Sequence, residues 1–161
     1  MTLLRPMTTD EFSRWRAQSI PGYAADKVRA GRWSAAESLT EAEKEFSALL
    51  PQGQETPGHT LFSIYSDSGE CVGAIWICRA ERPDGPVGYI YDLVVWPECR
   101  GKRFAKAAMK AIETEALKLG LSGLALHVFG HNTVARQLYA MLGYEPTNIN
   151  MFKPLAPSSD A

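Results

Sequence analysis

A cluster of basic side chains lies where a predicted strand meets a predicted helix. The strand spans Val87–Val95, the helix begins near Phe104, and the cations of the junction are Arg100, Lys102, Arg103 and Lys106. The first turn of a helix leaves backbone N–H groups unpaired, and the helix dipole adds partial positive charge there. This arrangement predicts a site for a phosphate-bearing ligand. A solvent-exposed basic helix start is the alternative, and this stretch alone does not decide between the two.

Metal binding is not predicted from the cysteine and histidine positions. Cys71 and Cys78 lie seven apart on a predicted strand, whereas zinc ligands usually come in closer pairs. His127 and His131 fall on a strand end and a loop, so no helix aligns them. Together with Cys99 the cysteines number three, and no signal-like or membrane-length apolar segment accompanies them. We therefore expect a reducing, cytoplasmic environment.

The composition predicts an ordinary globular protein. The chain has 161 residues, of which 45% are hydrophobic and 22% charged, and its net charge is −1. This length predicts one domain over residues 1–155, followed by a flexible tail at 156–161. A charge so close to zero argues against a nucleic-acid or membrane partner. The local basic cluster therefore favours a small anionic ligand.

The first third of the chain is predicted to be mainly helical. After a short strand at 3–7, Thr8 and Glu11 form a capping-box pattern that starts a helix. Pro21 and Gly22 are expected to interrupt this helix, with a second piece at 23–30. A further helix is predicted at 40–50, where Pro51 ends it.

Strand-type alternation replaces the helical period from residue 60. Strands at 61–65 and 72–78 flank a turn, which predicts an antiparallel hairpin. In the third strand, simple alternation places residues 89, 91, 93 and 95 on one face. The same rule places Ile90, Asp92 and Val94 on the other face.

A helix at 104–119 separates the third strand from a strand at 124–128, which predicts that these two strands are parallel neighbours. Asn132 or Thr133 then caps a helix that runs to Leu142, and 144–153 supplies a last strand or two. The fold class is therefore α+β, with a mixed, mostly antiparallel sheet and one parallel crossover.

Two segments resemble motifs of the GNAT N-acetyltransferase superfamily. Asp92–Ala105 is similar to its acetyl-CoA motif, a strand followed by Arg/Gln-x-x-Gly-x-Gly/Ala. His131–Tyr144 is similar to its second motif, Asn-x-x-Ala-x-x-Leu-Tyr-x-x-x-Gly-Phe/Tyr. The resemblance is strong because both motifs occur in this chain, about 30 residues apart. The resemblance implies a twisted sheet with helices on both faces and a splayed parallel strand pair.

The resemblance also implies acetyl-CoA as cosubstrate, with no metal. The implied contacts comprise the strand that pairs with the pantetheine arm, the turn that holds the pyrophosphate, and two residues of the last helix. They are Leu93, Val94, Val95, Arg100, Gly101, Lys102, Arg103, Phe104, Ala105, Lys106, Asn132 and Tyr139. Among them, a backbone N–H such as that of Val94 would polarise the thioester carbonyl.

Arg103 departs from the motif, because the family has a glycine at this position. A side chain here could crowd the pyrophosphate or could itself bind a phosphate. The resemblance thus leaves two functions open. One is an N-acetyltransferase, and the other is a non-catalytic sensor or interaction module whose cofactor binding Arg103 impairs.

Tyr139 and Asp92 are the candidate catalytic residues. Tyr139 stands where the family places its general acid for the leaving thiolate, with a core aromatic as the alternative. Asp92 is the first candidate for the base that deprotonates the amine, and His127 is the second. The acceptor would be a small-molecule amine or a peptide amine. A homodimer is a further expectation from the resemblance.

Overall fold

The computed structural model describes residues 3–158. Five strands form one mixed sheet in the order β1-β2-β3-β4-β5, in which each pair from β1 to β4 is antiparallel and β5 is parallel to β4. The strands are β1 (Leu3–Pro6), β2 (His59–Tyr65), β3 (Cys71–Ala80), β4 (Val87–Val95) and β5 (Gly123–Leu126). This arrangement confirms the predicted α+β class and the parallel crossover.

Four helices accompany the sheet: α1 (Thr9–Arg29), α2 (Ser38–Leu49), α3 (Phe104–Lys118) and α4 (Thr133–Met141). The first two cover one face, where Trp15 and Phe46 pack on Trp76 of β3. The other face packs on α3, whose Met109 and Ile112 are fully buried. In the described part of the chain, no helix is both long and apolar enough to cross a membrane.

The predicted capping box starts α1 as expected. Glu11 N–H donates to the Thr8 hydroxyl, and Thr8 N–H donates to the Glu11 carboxylate at 2.8 Å. Glu11 also accepts hydrogen bonds from Ser63 and Tyr65 of β2. Burial would raise the pKa of Glu11, but these hydrogen bonds lower it on balance. One carboxylate therefore joins the start of α1 to the sheet.

The predicted break at Pro21 is wrong, because α1 continues through it to Arg29. Proline lacks the N–H that would bond one turn back, and such a position usually kinks a helix. Here two residues near the proline, Ile20 and Ala24, are buried in the core that α1 shares with α2 and the sheet. Their packing holds the helix together while Pro21 itself faces solvent. Tertiary contacts thus override the local preference.

A β-bulge in β4 makes the predicted face of Asp92 wrong. Trp76 pairs with Asp92 and Ile77 pairs with Ile90, so Tyr91 is an extra residue without an opposite partner. Tyr91 stacks on Trp76, and Asp92 bonds to α1, so both consecutive side chains face the α1–α2 layer. Ile90 faces α3.

Strands β4 and β5 are paired over a short stretch and then part. Their register runs from Val87 opposite Gly123 to Ile90 opposite Leu126. The last five residues of β4 have no strand on that side, and β5 ends two residues before the predicted boundary at 128. The open edge of β4 is the splay that the resemblance implied.

The predicted last strand at 144–153 is wrong for the isolated chain. Residues 145–158 form neither helix nor strand, and every one of them is exposed. The predicted tail at 156–161 lies outside the described residues from 159 onward, as do residues 1–2 of the predicted domain. Strand formation needs a neighbour, and the structure places none beside this segment.

Candidate active site

The turn before α3 presents a row of unpaired backbone N–H groups. Ala107 N–H is the first to find a helical acceptor, the carbonyl of Arg103 at 3.1 Å. Within residues 3–158, the N–H groups of residues 101–106 donate to no protein acceptor. Six consecutive free donors at a helix start, with exposed cationic side chains around them, fit an anionic group such as a diphosphate.

Arg103 adopts the conformation for which glycine is favoured. Its φ is 64° and its ψ is 22°, so the residue that precedes α3 is left-handed. This conformation costs a residue with a Cβ roughly 1–2 kcal/mol. It explains physically why a glycine suits the position. The Arg103 side chain is exposed, and the row of N–H groups keeps its shape at the cost of this strain.

The nearby charges leave the turn positive. Glu98 is the carboxylate adjacent in sequence, and it is ion-paired with Arg14 at 3.0 Å. Arg100 turns back to the sheet, where its Nε donates to the Val95 carbonyl at 3.2 Å. Lys102 and Lys106 form no ion pair among residues 3–158. The turn can therefore offer free cations to an anion.

The open edge of β4 displays the backbone groups of Leu93 and Val95. Trp96 N–H bonds to the Val72 carbonyl of β3 at 2.8 Å. The Val94 carbonyl lies so close to β3 that a Cβ on Gly73 would collide with it. Backbone groups alternate sides along a strand. Val94 therefore faces β3, whereas Leu93 and Val95 face the gap toward β5. The backbone of Val94, the residue predicted to supply the donor, therefore points toward β3 and not into the gap.

Asp92 is fixed by two hydrogen bonds from α1. Trp15 Nε1 donates to Asp92 Oδ2 at 2.8 Å, and the Ser19 hydroxyl donates to the same oxygen at 2.9 Å. No side chain in 3–158 donates to Oδ1. Burial raises the pKa of Asp92 above the ordinary aspartate value, although the two hydrogen bonds and the Leu93 N–H offset part of the rise. The carboxylate is thus oriented and more basic than usual.

Tyr139 lies on α4, partly buried at the end of the α3-side core beside Tyr144. Burial and the charge of Asp92 raise the pKa of Tyr139 to about 12. The two predicted catalytic residues are therefore close enough for the charge of Asp92 to change the pKa of Tyr139. Within the described chain the Tyr139 hydroxyl has no hydrogen-bond partner. Asn132 caps α4 as predicted, with its Oδ1 accepting from Ala135 N–H at 3.2 Å.

His127 follows β5 and lies toward the end of α1. Partial loss of water contact and the charges of Lys27 and Arg32 lower its pKa, although the side chain is exposed. Its ring contacts Phe129, whose own ring stacks on His131. The structure gives His127 no hydrogen bond within residues 3–158. Asp92 is therefore the better oriented of the two candidate bases.

Sequence reasoning missed the residues that hold Asp92. Trp15 and Ser19 are four residues apart on α1, a spacing that places both on one helix face. Their residue types do not predict a hydrogen bond to a carboxylate that is 73 or more residues away in the sequence. It also missed His59, whose Nδ1 accepts from Trp76 Nε1 at 2.9 Å. That bond fixes a neutral imidazole with its proton on Nε2. His59 and Trp76 form an aromatic wall with Tyr91.

The fold and the candidate active site together indicate which class of protein this chain is. The family model described as the acetyltransferase (GNAT) family matches residues 26–144. The chain belongs to the GNAT acetyltransferase family, and it is an N-acetyltransferase of the acyltransferase type. The match extends from within α1 to Tyr144, so it includes both motifs and the gap between β4 and β5.

Among individual proteins, the chain is similar to two that are named as uncharacterized N-acetyltransferases of Bacillus subtilis (strain 168). It is 37% identical to YycN over 153 residues, which cover 95% of this chain and 98% of YycN. It is 33% identical to YdgE over 94% of this chain and 97% of YdgE. The crystal structure of YycN superposes with a TM-score of 0.91 over 97% of this chain and 99% of that one.

Proposed function

We propose that this protein transfers the acetyl group of acetyl-CoA directly to a primary amine, on a small molecule or a peptide. The observation that supports this most is the row of six unpaired N–H groups beside the open edge of β4. The two features together match a ligand with a diphosphate at one end and an amide-containing arm at the other. Three free cysteines are compatible with the cytoplasm as its location.

The N–H groups of residues 101–106 would hold the diphosphate, with Lys102, Arg103 and Lys106 adding charge. Leu93 and Val95 would pair with the arm as a neighbouring strand does. Val95 lies nearer the diphosphate turn, whereas Leu93 lies deeper, next to Asp92. The Leu93 N–H, which already interacts with the Asp92 carboxylate, would have to share its hydrogen bond with the carbonyl oxygen on which negative charge develops.

Tyr139 would serve the departing sulfur. Acetyl-CoA supplies an activated thioester whose leaving group is a thiolate, with a pKa near ~8.5 for a simple thiol. Complete proton transfer from Tyr139, whose pKa is about 12, would cost about 5 kcal/mol. Tyr139 is therefore better suited to donate a strong hydrogen bond to the sulfur than to give up its proton entirely.

Asp92 would receive the proton that the amine must lose. A lysine-like amine costs roughly 4–5 kcal/mol to deprotonate at pH 7, and an α-amine costs about 1 kcal/mol. Trp15 and Ser19 both bind Oδ2, which leaves Oδ1 for a water on the path to the amine. The raised pKa of Asp92 makes it a stronger base than an exposed aspartate.

The test compares Tyr139 with the neighbouring Tyr144, because burial raises the pKa of both side chains. Tyr139→Phe should lower kcat by an order of magnitude or more, measured by thiol release with a panel of amines. Tyr144→Phe is the matched control, because the pKa of Tyr144 is also about 12 and its ring centroid lies 5.7 Å from that of Tyr139. Equal turnover in both variants would remove Tyr139 from the reaction.

Calorimetry with acetyl-CoA tests the non-catalytic alternative. The left-handed Arg103 is the observation behind that alternative, since it places a bulky side chain within the N–H row. Saturable binding at micromolar concentration, together with thiol release, supports the transferase. Absence of saturable binding would favour the sensor or interaction module.

A further inference from the structure

A side-chain hydrogen bond joins α1 to the loop between β5 and α4. His131 Nε2 in the loop lies 3.1 Å from Asp26 Oδ1 on the helix. The imidazole also stacks on the ring of Phe129, with the ring centroids 5.5 Å apart and an angle of 10° between the planes. One contact holds the edge of the imidazole and the other holds its face. The orientation of this histidine is therefore fixed just before α4 begins.

The helix face that holds His131 also holds Asp92. Ser19 and Asp26 are seven residues apart on α1, which is about two turns, so they lie on one face and about 10 Å apart along the axis. Ser19 bonds to Asp92 of β4, and Asp26 bonds to His131, which follows β5. Helix α1 thus fixes one ionisable group on each side of the gap between β4 and β5. Burial raises the pKa of Asp92, and the nearby charge of Asp26 adds to the rise.

The hydrogen bond to Asp26 decides which nitrogen of His131 can accept a proton. An ionised carboxylate only accepts hydrogen bonds, so the neutral imidazole carries its proton on Nε2. Nδ1 then keeps a lone pair, and within residues 3–158 no group donates to it. A carboxylate that binds one imidazole nitrogen in this way orients the ring and leaves the other nitrogen as a base. The His131 side chain is 19% exposed and that of Asp26 46%, so a proton taken up here can pass to water.

A protonated amine must lose two protons in the proposed reaction. An alkylamine with a pKa near ~10.4 reaches the site as R–NH₃⁺ at neutral pH. One proton leaves before the nitrogen attacks the thioester, and the other leaves as the C–N bond forms and the C–S bond breaks. The products are the amide, the free thiol and one H⁺, because the thiolate takes up one of the two protons. Tyr139 keeps its own proton and Asp92 accepts one from the amine, so a second acceptor is needed.

We infer that His131 is this second proton acceptor and that Asp26 is its positioning residue, an inference that rests on the proposed transfer to an amine. Nδ1 takes the additional proton of the ammonium group, and the Asp26 carboxylate on Nε2 stabilises the imidazolium that forms. Nδ1 then releases the proton to water, which restores the neutral imidazole. Asp92 accepts the proton that leaves as the C–N bond forms. The site is therefore equipped for strongly basic amines, which arrive with the extra proton.

His131→Gln separates the proton acceptor from the structural contact, because glutamine keeps an N–H donor for Asp26 but is not a base. Thiol release is measured at a pH of about 8.5 with alkylamines of pKa near ~10 and with α-amino amides of pKa near ~8. With the alkylamines, kcat/KM of the variant should fall about 10-fold or more relative to wild type. With the α-amino amides, which mostly arrive neutral, the fall should be less than about 2-fold. Each ratio is taken within one amine, so differences in amine binding cancel.

Two results of this comparison would overturn the inference. One is unchanged turnover of His131→Gln with the alkylamines. The other is an equal loss with both groups of amines, because the loss of a structural contact does not depend on amine basicity. In both cases the wild type still transfers the acetyl group, so the proposed function stands. A wild type that releases no thiol with any amine would instead refute the proposed function, and this inference with it.

The positioning role of Asp26 has a readout that needs no turnover. In the substrate-free wild type, ¹⁵N NMR should show the proton of the neutral His131 ring on Nε2. The chain has three histidines, and the His131 signals are those that His131→Gln removes. Asp26→Asn should lower the fraction of this tautomer and reduce kcat/KM with the alkylamines about 10-fold. The exposed Asp84→Asn is the matched control and should change neither. A wild-type proton on Nδ1, or the same tautomer ratio in Asp26→Asn, would overturn the role of Asp26.

Discussion

The two ends of this molecule hold their catalytic candidates in opposite ways. Asp92 lies under α1, whose Trp15 is fully buried and whose Trp15 and Ser19 side chains bind the carboxylate. Tyr139 lies on α4, where no side chain from Thr133 to Met141 is buried. One residue is fixed by a complete core within its own chain. The other depends on a helix whose outer surface is bare.

This difference suggests a division of labour between the halves of the site. The α1–α2 layer sets the position and basicity of Asp92, the proposed proton acceptor. The α4 end carries Tyr139, the proposed donor to the leaving group, and the stability of this helix depends on what covers it. Substitutions in the first region should therefore change folding and catalysis together, whereas substitutions in α4 should separate them.

The largest effect is expected at Trp15. Trp15→Ala removes a fully buried side chain and should lower the free energy of unfolding by about 3–5 kcal/mol, as chemical denaturation would show. It also removes the Nε1 donor of Asp92, so kcat/KM should fall in the protein that remains folded. A loss below about 1 kcal/mol would contradict the picture of a complete core around this residue.

Asp92→Asn should sharpen the comparison, because it keeps the shape of the site but not the charge. We expect kcat/KM to fall at least 10-fold, which corresponds to about 1.4 kcal/mol. Exposed Asp84→Asn is the matched control and should retain full activity. Unchanged kinetics for Asp92→Asn would leave Asp92 a purely structural role.

The same variant should show a pH-dependent gain in stability. The pKa of Asp92 is raised above its unfolded value, for which the reference is 3.8. Ionisation therefore disfavours the folded state, beginning near the unfolded pKa and reaching its full extent above the folded pKa. The melting temperature of Asp92→Asn relative to wild type should rise across this window and then level off. A difference that shrinks with pH would mean that the folded pKa is lowered.

Arg103→Gly should have a smaller effect, and it should stabilise the folded protein, whereas most substitutions destabilise it. Relief of the left-handed strain, roughly 1–2 kcal/mol, outweighs the extra chain entropy of glycine, roughly 0.5–1 kcal/mol. A net gain near 1 kcal/mol would raise the melting temperature by about 2–4 °C. Lys102→Gly is the control: its φ is not positive, so it should destabilise. A loss of stability in Arg103→Gly would show that the guanidinium contributes more than the strain costs.

The smallest effect is expected at Val134. Its side chain is 79% exposed on α4, so Val134→Ala should change the free energy of unfolding by less than about 0.5 kcal/mol, as chemical denaturation would show. A clearly larger cost would show that α4 is covered in solution.

Local signals in the sequence were sufficient to predict the helix starts and caps, including the one at the proposed diphosphate site. The helix start at Phe104, the Asn132 cap and the Thr8–Glu11 capping box depend on residues within a few positions of one another. Such features are fixed by short-range chemistry, and the resemblance added their function. The parallel pairing of β4 and β5 followed from the intervening helix.

Other features could not be predicted because they depend on distant contacts. The continuity of α1 through Pro21 results from burial of Ile20 and Ala24 in a core that residues later in the chain complete. The bulge at Tyr91 has no signature in β4 alone. The strand predicted at 144–153 does not form, because the described residues place no strand beside this segment.

The extra residue in β4 has a consequence for how this gene can vary. Because Tyr91 lies without a partner between Ile90 and Asp92, a deletion of its codon would restore a regular ladder and leave Asp92 opposite Trp76, on the α1 side. The deletion would also preserve every letter of the acetyl-CoA motif. What it would remove is the ring that stacks on Trp76, so the loss of residue 91 should disturb the aromatic wall of the site and leave the position of the carboxylate unchanged.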